Sequence, residues 1–334
     1  MSSNGSTADN VMNKIALIYM GGTFGCVGEA LAPMPEVEFL QQLKRYLPEQ
    51  YAIQCFATNK IQDSSACSAE DWLSLVQQIQ SLEPEYQHFV VIHGTDTLSY
   101  AAATLARFLQ HSCRVILTGS QFPLLTVDGL ELRAQSDALD NLHLALEQVQ
   151  RVNAGVYLAF HQQIFHAASC LKLHSTRLDA FHGQLYNAAD PAKPIAAFEV
   201  EPQHIQAAQS LNIVNWMMQP ISKDQLATNL EQLIPHAPQF LILQGYGTGN
   251  IAVNPRILAA LRGLREQGCI SILTSQVALG SLDQRYAVSQ WALHAEIFVT
   301  DSLGHADLYA KILKIYLQYR TPDQCAAHWY DHHL

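Results

Sequence analysis

The chain has 334 residues, 49% of them apolar, so it can bury a sizeable core, and its length points to two domains. With 29 acidic against 19 basic residues its formal charge is -10, which argues against a nucleic-acid or anionic-membrane surface, since clustered Lys and Arg are needed to neutralise phosphates. A small polar ligand fits that balance better.

In chain order, Met1 to Lys14 is polar and lacks the basic and apolar regions of a secretory signal. No apolar run approaches the roughly 20 residues of a membrane-spanning helix, so a soluble, cytoplasmic protein is expected. From there, short apolar runs alternate with Gly-rich or polar turns and longer amphipathic stretches, which is how strand, loop and helix succeed one another around a parallel sheet. Strands are predicted at Ile15 to Tyr19, Phe89 to His93, Val115 to Thr118, Val156 to Phe160, Phe240 to Gln244 and Ile270 to Thr274. Helices are predicted at Leu98 to Gln110, Ser136 to Gln150 and Pro255 to Gln267, the last opening on a proline whose missing N–H costs little in a first turn. The periodicity breaks around Pro191, Pro194 and Pro202. The expected organisation is therefore α/β throughout: a larger N-terminal domain (1–190) with a mostly parallel sheet flanked by helices, a linker (191–210), and a smaller α/β C-terminal domain (211–334).

Seven scattered cysteines, Cys26, Cys55, Cys67, Cys113, Cys170, Cys269 and Cys325, form no C-x-x-C pair, which suits a reducing compartment. Fifteen histidines form neither H-E-x-x-H nor a zinc-spaced set with cysteine, so neither a metal nor a cofactor is expected.

Ligands of open α/β sheets bind beyond the carboxyl ends of the strands, so the loops that follow the strands come first. Gly21-Gly22-Thr23-Phe24-Gly25 follows the first strand; its paired glycines permit a tight turn and present the Thr23 hydroxyl. Gly94-Thr95-Asp96-Thr97 follows the second, where Asp96 or Thr97 is equally readable as a helix cap. Thr118-Gly119-Ser120-Gln121 has the same small polar character. A threonine hydroxyl is a weak nucleophile and needs a base or a cation beside it. Lys172, in an apolar stretch after the Val156 strand, is a candidate for that partner and equally readable as a solvated loop lysine. In the C-terminal half, Gly245-Tyr-Gly-Thr-Gly-Asn250 fails as a dinucleotide loop because Asn250 stands where the third glycine is required.

Taken together and in this order, G-G-T-F-G, D-S-S at Asp63-Ser64-Ser65, H-G-T-D-T and T-G-S-Q resemble the asparaginase/glutaminase family, most closely its bacterial cytoplasmic type I branch, over about Lys14 to Tyr319. The resemblance implies hydrolysis of L-asparagine to aspartate and ammonia with Thr23 as nucleophile, and a second catalytic centre formed by Thr95 with Lys172. It further implies that Asp96 takes the substrate α-ammonium, that Ser64 and Ser65 hold its α-carboxylate and amino groups, and that Asn250 reaches the site of a neighbouring subunit in a homodimer or dimer of dimers. That division suits a zwitterionic amino acid, which needs one anion and a set of hydroxyl or backbone donors. The chain departs from the pattern in two places. Relatives carry a lid tyrosine about ten residues after the first threonine, where this chain has Leu31 in Cys26-Val-Gly-Glu-Ala-Leu-Ala-Pro33, and Leu125 to Arg133 reads as an inserted surface loop near the subunit contacts. The competing readings are a mixed glutaminase-asparaginase and an amino-acid-binding paralogue with little catalysis.

Overall fold

The computed structural model describes residues 14–190, 195–280, 291–292, 295–300 and 304–331, and the described chain divides into two compact units, residues 1–206 and 207–334. The first unit begins with β1 (Lys14–Gly21), the short hairpin β2 (Cys26–Val27) and β3 (Ala32–Pro33), helix α1 (Glu36–Lys44), β4 (Ala52–Gln62) and α2 (Ala69–Leu82). It continues through β5 (His88–Ile92), α3 (Leu98–Leu109), β6 (Arg114–Thr118), α4 (Ala138–Gln148), β7 (Gly155–Phe160), β8 (Gln163–His166), β9 (Leu171–Lys172) and β10 (Phe181–His182). The main sheet has the order β4-β1-β5-β6-β7-β8, parallel except for β8.

That order determines where a ligand fits. From β1 the chain runs to β4 on one side, then crosses to β5 on the other side of β1 and continues outward through β6 and β7. The gap beyond the carboxyl ends of β1 and β5 is therefore a topological switch point, the place where open α/β sheets leave a crevice. Thr23 follows β1 and Thr95 follows β5, one on each side of it.

The central strands are continuous apolar runs because helices cover both faces of a parallel sheet. Residues Ile15 to Met20 and Phe89 to Ile92 are all buried. On one face Ile15, Leu17, Tyr19, Val90, Ile92 and Ile116 pack with Phe39 and Leu43 of α1 and Leu142, Ala145 and Leu146 of α4. Phe39 lies under the Thr23 turn, its ring 4.4 Å from that of Tyr19 and 6.2 Å, edge-on, from that of Phe24. Phe39→Ala is expected to destabilise the first unit by about 3–5 kcal/mol, the range for emptying a fully buried aromatic site; a urea titration of the variant checks it.

The segment between the two halves is more structured than a linker. Phe198 N–H donates to Phe108 O at 2.7 Å, Gln80 bonds Phe198 O and Val200 N–H, and the Phe198 ring sits edge-on to Phe108, so residues 198–200 dock on α2 and α3. Helix α5 (Pro202–Ala208) follows, whereas Pro191 and Pro194 lie outside the described residues.

The second unit is built on β11 (Ile213–Met217), α6 (Lys223–Leu233), β12 (Phe240–Gly245), α7 (Pro255–Glu266), β13 (Ile270–Ser275), β14 (Phe298–Val299), α8 (His305–Gln318) and α9 (Pro322–Ala327). Its sheet is parallel in the order β11-β12-β13-β14. The period of two sorts its side chains: Leu241, Leu243 and Leu273 join the α6 and α7 core, while Phe240, Ile242, Ile270 and Ile272 join Leu308, Ile312, Ile315 and Trp329. No helix among the described residues is long and apolar enough to cross a membrane.

Candidate functional site

Four loops converge at the switch point, and glycines are the reason they can. A side chain on Gly22, whose φ is +82°, would land on the Cα of Gly94, and a Cβ on Gly94 would lie 2.6 Å from Ser64 Oγ. The backbones after β1 and β5 and the turn after β4 thus touch in a way only glycine allows. On the far side a Cβ on Gly119 would strike His93 O and meet Thr95 Cγ2 at 3.4 Å, which brings the loop after β6 against the same corner.

Thr23 opens a single turn, Thr23–Gly25, and is partly buried. Beneath it, Tyr19 is fully buried with its hydroxyl against Gly25 and without a hydrogen-bond partner among the described residues; burial above all pushes that phenol well above its ordinary range, and Cys26 adds to the effect. Cys26 donates to Gly22 O at 3.3 Å, and burial raises its thiol, so this sulfur pins the turn as a neutral group.

Thr95 is buried, and its Oγ1 accepts a hydrogen bond from Lys172 Nζ at 2.8 Å. The same ammonium lies 3.2 Å from Asp96 Oδ1. Lys172 keeps 17% of its side-chain exposure and Asp96 62%, so the lysine faces inward while the carboxylate is open to a ligand from solution. The backbone of Lys172 is placed by the β9–β10 pairing, where it opposes Phe181, and by its N–H donating to Ser99 Oγ at 3.1 Å on α3. The reading of Lys172 as a solvated loop residue is therefore not what the fold presents.

The helix-cap reading of Gly94-Thr95-Asp96-Thr97 also changes. Thr97 stands at the cap position of α3 but makes no side-chain cap bond; its hydroxyl donates to Ser64 O at 2.7 Å instead and ties this loop to the Asp63-Ser64-Ser65 turn. That turn is itself organised by Asp63, which accepts from Ser65 N–H at 2.8 Å; bonds from the Ser65 side chain and then its backbone hold the Asp63 carboxyl below the usual carboxylate range. Ser64 is buried and Ser65 exposed. Asn250 belongs to the second unit, in the loop after β12 closed by paired Tyr246 and Asn250 backbone bonds. Its Nδ2 lies 3.3 Å from Thr248 Oγ1, while its buried Oδ1 has no hydrogen-bond partner among the described residues.

Four contributors escaped the reading of the sequence. Gln121, within the noted T-G-S-Q, places Oε1 3.5 Å from Thr95 Oγ1. Asp137, just before α4, and Asn141 on α4 hold the loop that carries Gln121. His93 is fully buried before Gly94, with Nδ1 at 2.8 Å from Gly94 O and Nε2 at 3.2 Å from Trp72 Nε1. The indole can only donate, so Nε2 accepts and Nδ1 carries the proton. Burial lowers the His93 ring from 6.5 to about 4, partly opposed by the bond to Gly94. A buried base with a depressed value loses stability as acid protonates the unfolded chain first. The contribution is intact above pH 6.5 and falls away between about pH 6.5 and 4, by about 3 kcal/mol in total. Urea midpoints across that window, in the wild type and in a His93→Gln variant with a flattened profile, check this.

The lid is a tight hairpin, with Cys26 opposite Pro33 and Val27 opposite Ala32, and Leu31 stands exposed beside its turn. Leu125 to Arg133 is not a free loop. It closes as a second hairpin, with Leu125 opposite Leu132 and Thr126 N–H donating to Glu131 O at 2.8 Å. It clasps the lid through Gly28 N–H to Val127 O at 3.0 Å, and reaches α1 through Arg45 to Leu130 O at 3.3 Å. All seven cysteines are unpaired, and among the described residues no cluster of His, Cys, Asp and Glu could hold a metal ion.

The family model described as Asparaginase, N-terminal matches residues 14–197. The chain is 27% identical over 326 residues to L-asparaginase 1 of Escherichia coli, covering 92% of this chain and 91% of that protein. It is 29% identical over 263 residues to the L-asparaginase of Thermococcus kodakarensis, covering 75% and 76%. Its fold is similar to that of L-asparaginase I from Vibrio cholerae, with a TM-score of 0.77 at 24% identity over 96% of this chain and 97% of that one. The family match spans more than half the sequence, and within it Lys172, Thr95 and Asp96 are in contact at the switch point: the chain belongs to the asparaginase family.

Proposed function

We propose that this protein hydrolyses the side-chain amide of L-asparagine to L-aspartate and ammonia by threonine nucleophilic catalysis. The observation that carries the reading is the 2.8 Å bond from Lys172 Nζ to Thr95 Oγ1 beside an open Asp96 carboxylate. Asp96 takes the α-ammonium of the substrate, and the Ser64–Ser65 turn donates to its α-carboxylate, anchoring a zwitterion by charge-assisted bonds at both ends. The amide carbon then lies over the crevice. Thr23 Oγ bonds to it, the C–N bond breaks, and the hydroxyl proton leaves with the amide nitrogen as ammonia. Water next attacks the ester carbon, its proton passes through the Thr95–Lys172 pair, and the C–O bond to Thr23 breaks to release aspartate. The amino-terminal end of α3, just past Asp96, directs positive potential at the carbonyl oxygen as negative charge develops there.

L-Glutamine fits less well, because one added methylene shifts the amide against fixed anchors. Exposed Leu31 at the family's lid-tyrosine position favours a second reading, an amino-acid-binding paralogue with little turnover. Ammonia release from both amides, measured beside the asparagine-dependent rise in melting temperature, separates the two. Turnover of L-asparagine above L-glutamine supports the amidase, whereas a thermal shift without ammonia supports the binder. A homodimer, or a dimer of dimers, with Asn250 serving a neighbouring site is part of the same proposal and is tested by light scattering.

A further inference from the structure

The third loop of the site is held from outside by a single carboxylate. Asp137 precedes α4, and its two oxygens accept three backbone contacts: Gln121 N–H at 3.1 and 2.9 Å and Phe122 N–H at 3.0 Å. Asn141, one turn later, donates to Asp137 at 3.1 Å and to Gly119 O at 3.0 Å, and accepts from His161 N–H at 2.9 Å. Two side chains at the start of one helix thus fix the loop at Gly119, Gln121 and Phe122.

What the loop delivers is Gln121. Its Nε2 donates to Arg177 O at 2.8 Å and approaches Ser175 O at 3.4 Å, so the amide nitrogen is committed to the strap that follows Lys172. The amide orientation follows: Oε1 faces Thr95, 3.5 Å from its hydroxyl oxygen. This has a consequence for the pair below. Thr95 Oγ1 already accepts a hydrogen bond from Lys172 Nζ, so its own hydrogen must point elsewhere, and Gln121 Oε1 is an acceptor within reach.

We propose that Asp137 is a positioning residue for the threonine–lysine pair, acting through Gln121, whose carbonyl sets the direction of the hydrogen bond between Lys172 and Thr95. The proposal rests on the amidase reading above. Asp137 binds no substrate in this account; it stabilises one geometry of a loop that would otherwise present two unpaired N–H groups, and hydrogen bonds to a charged acceptor are the strong ones.

The test is a double-mutant cycle on the full chain with L-asparagine as substrate. Asp137→Ala and Gln121→Leu are each expected to lower kcat by about 30- to 100-fold with KM changed less than about threefold, the pattern of misplaced catalytic groups. Asp137→Asn, which keeps one acceptor oxygen, is expected to recover part of that loss. The combined variant should lose no more than the worse single one, because both act on one chain of contacts. If Asp137→Ala does not fold, the cycle of Asp137→Asn with Gln121→Leu decides the matter on the same criterion. Losses that multiply, a rise in KM with kcat unchanged, or full activity of the Asp137 variants would overturn the proposal while leaving the amidase reading intact. A wild-type protein without amide hydrolysis would remove both.

Discussion

Lys172→Met is expected to lower kcat for L-asparagine by about 10³-fold, within the range for losing a positioned proton-transfer group. Methionine keeps the length of the stem, so the β9–β10 pairing and the Ser99 contact survive while Thr95 Oγ1 loses the donor at 2.8 Å. Lys172→Arg is expected to fail almost as badly, since guanidinium stays charged and presents a planar fork where a single nitrogen must lie between Thr95 and Asp96. Initial-rate assays with thermal midpoints measured in parallel check both variants. A lysine that only neutralised Asp96 would be replaced by arginine with little loss.

Thr23→Ala is expected to remove turnover by about 10⁴-fold or more, and Thr23→Ser to retain a measurable part of it, because the step needs a hydroxyl at that position and not a methyl group. The turn should survive the change. Its geometry comes from Gly22 against Gly94, Cys26 bonded to Gly22 O, and the buried Tyr19–Phe39–Phe24 cluster, none of which involves the Thr23 side chain. A Thr23→Ala protein that still binds L-asparagine, read as a rise in melting temperature, would separate lost chemistry from lost folding.

Much of this architecture was legible in the sequence because the central strands are buried on both faces. The runs predicted at Ile15 to Tyr19, Phe89 to His93 and Phe240 to Gln244 fall on β1, β5 and β12, with His93 one residue past the end of β5. The edge strand β4 was not, since Gln54, Thr58 and Asn59 give it a mixed surface that only its pairing with β1 makes regular. At the site, Thr95, Asp96 and Lys172 were singled out and are in contact, but their contact spans 77 residues of sequence and is made by the sheet order. The same holds for Thr97, whose hydroxyl reads locally as a cap and spatially as a tie to Ser64. Asp137 was visible only as a helix start; its acceptor role toward Gln121, 16 positions earlier, exists because α4 returns beneath that loop. The inserted hairpin at Leu125 to Arg133 was visible as an insertion, while its clasp on the lid through Gly28 depends on a backbone bond that no residue type signals.

The most direct test of the account is to quench the enzyme during turnover of L-asparagine and locate the covalent intermediate by peptide mass spectrometry. A β-aspartyl ester on the peptide carrying Thr23, absent from Thr23→Ala and accumulating in Lys172→Met, is the predicted result. Ammonia released with the ester on Thr95, or with no ester on either threonine in any variant, would contradict it.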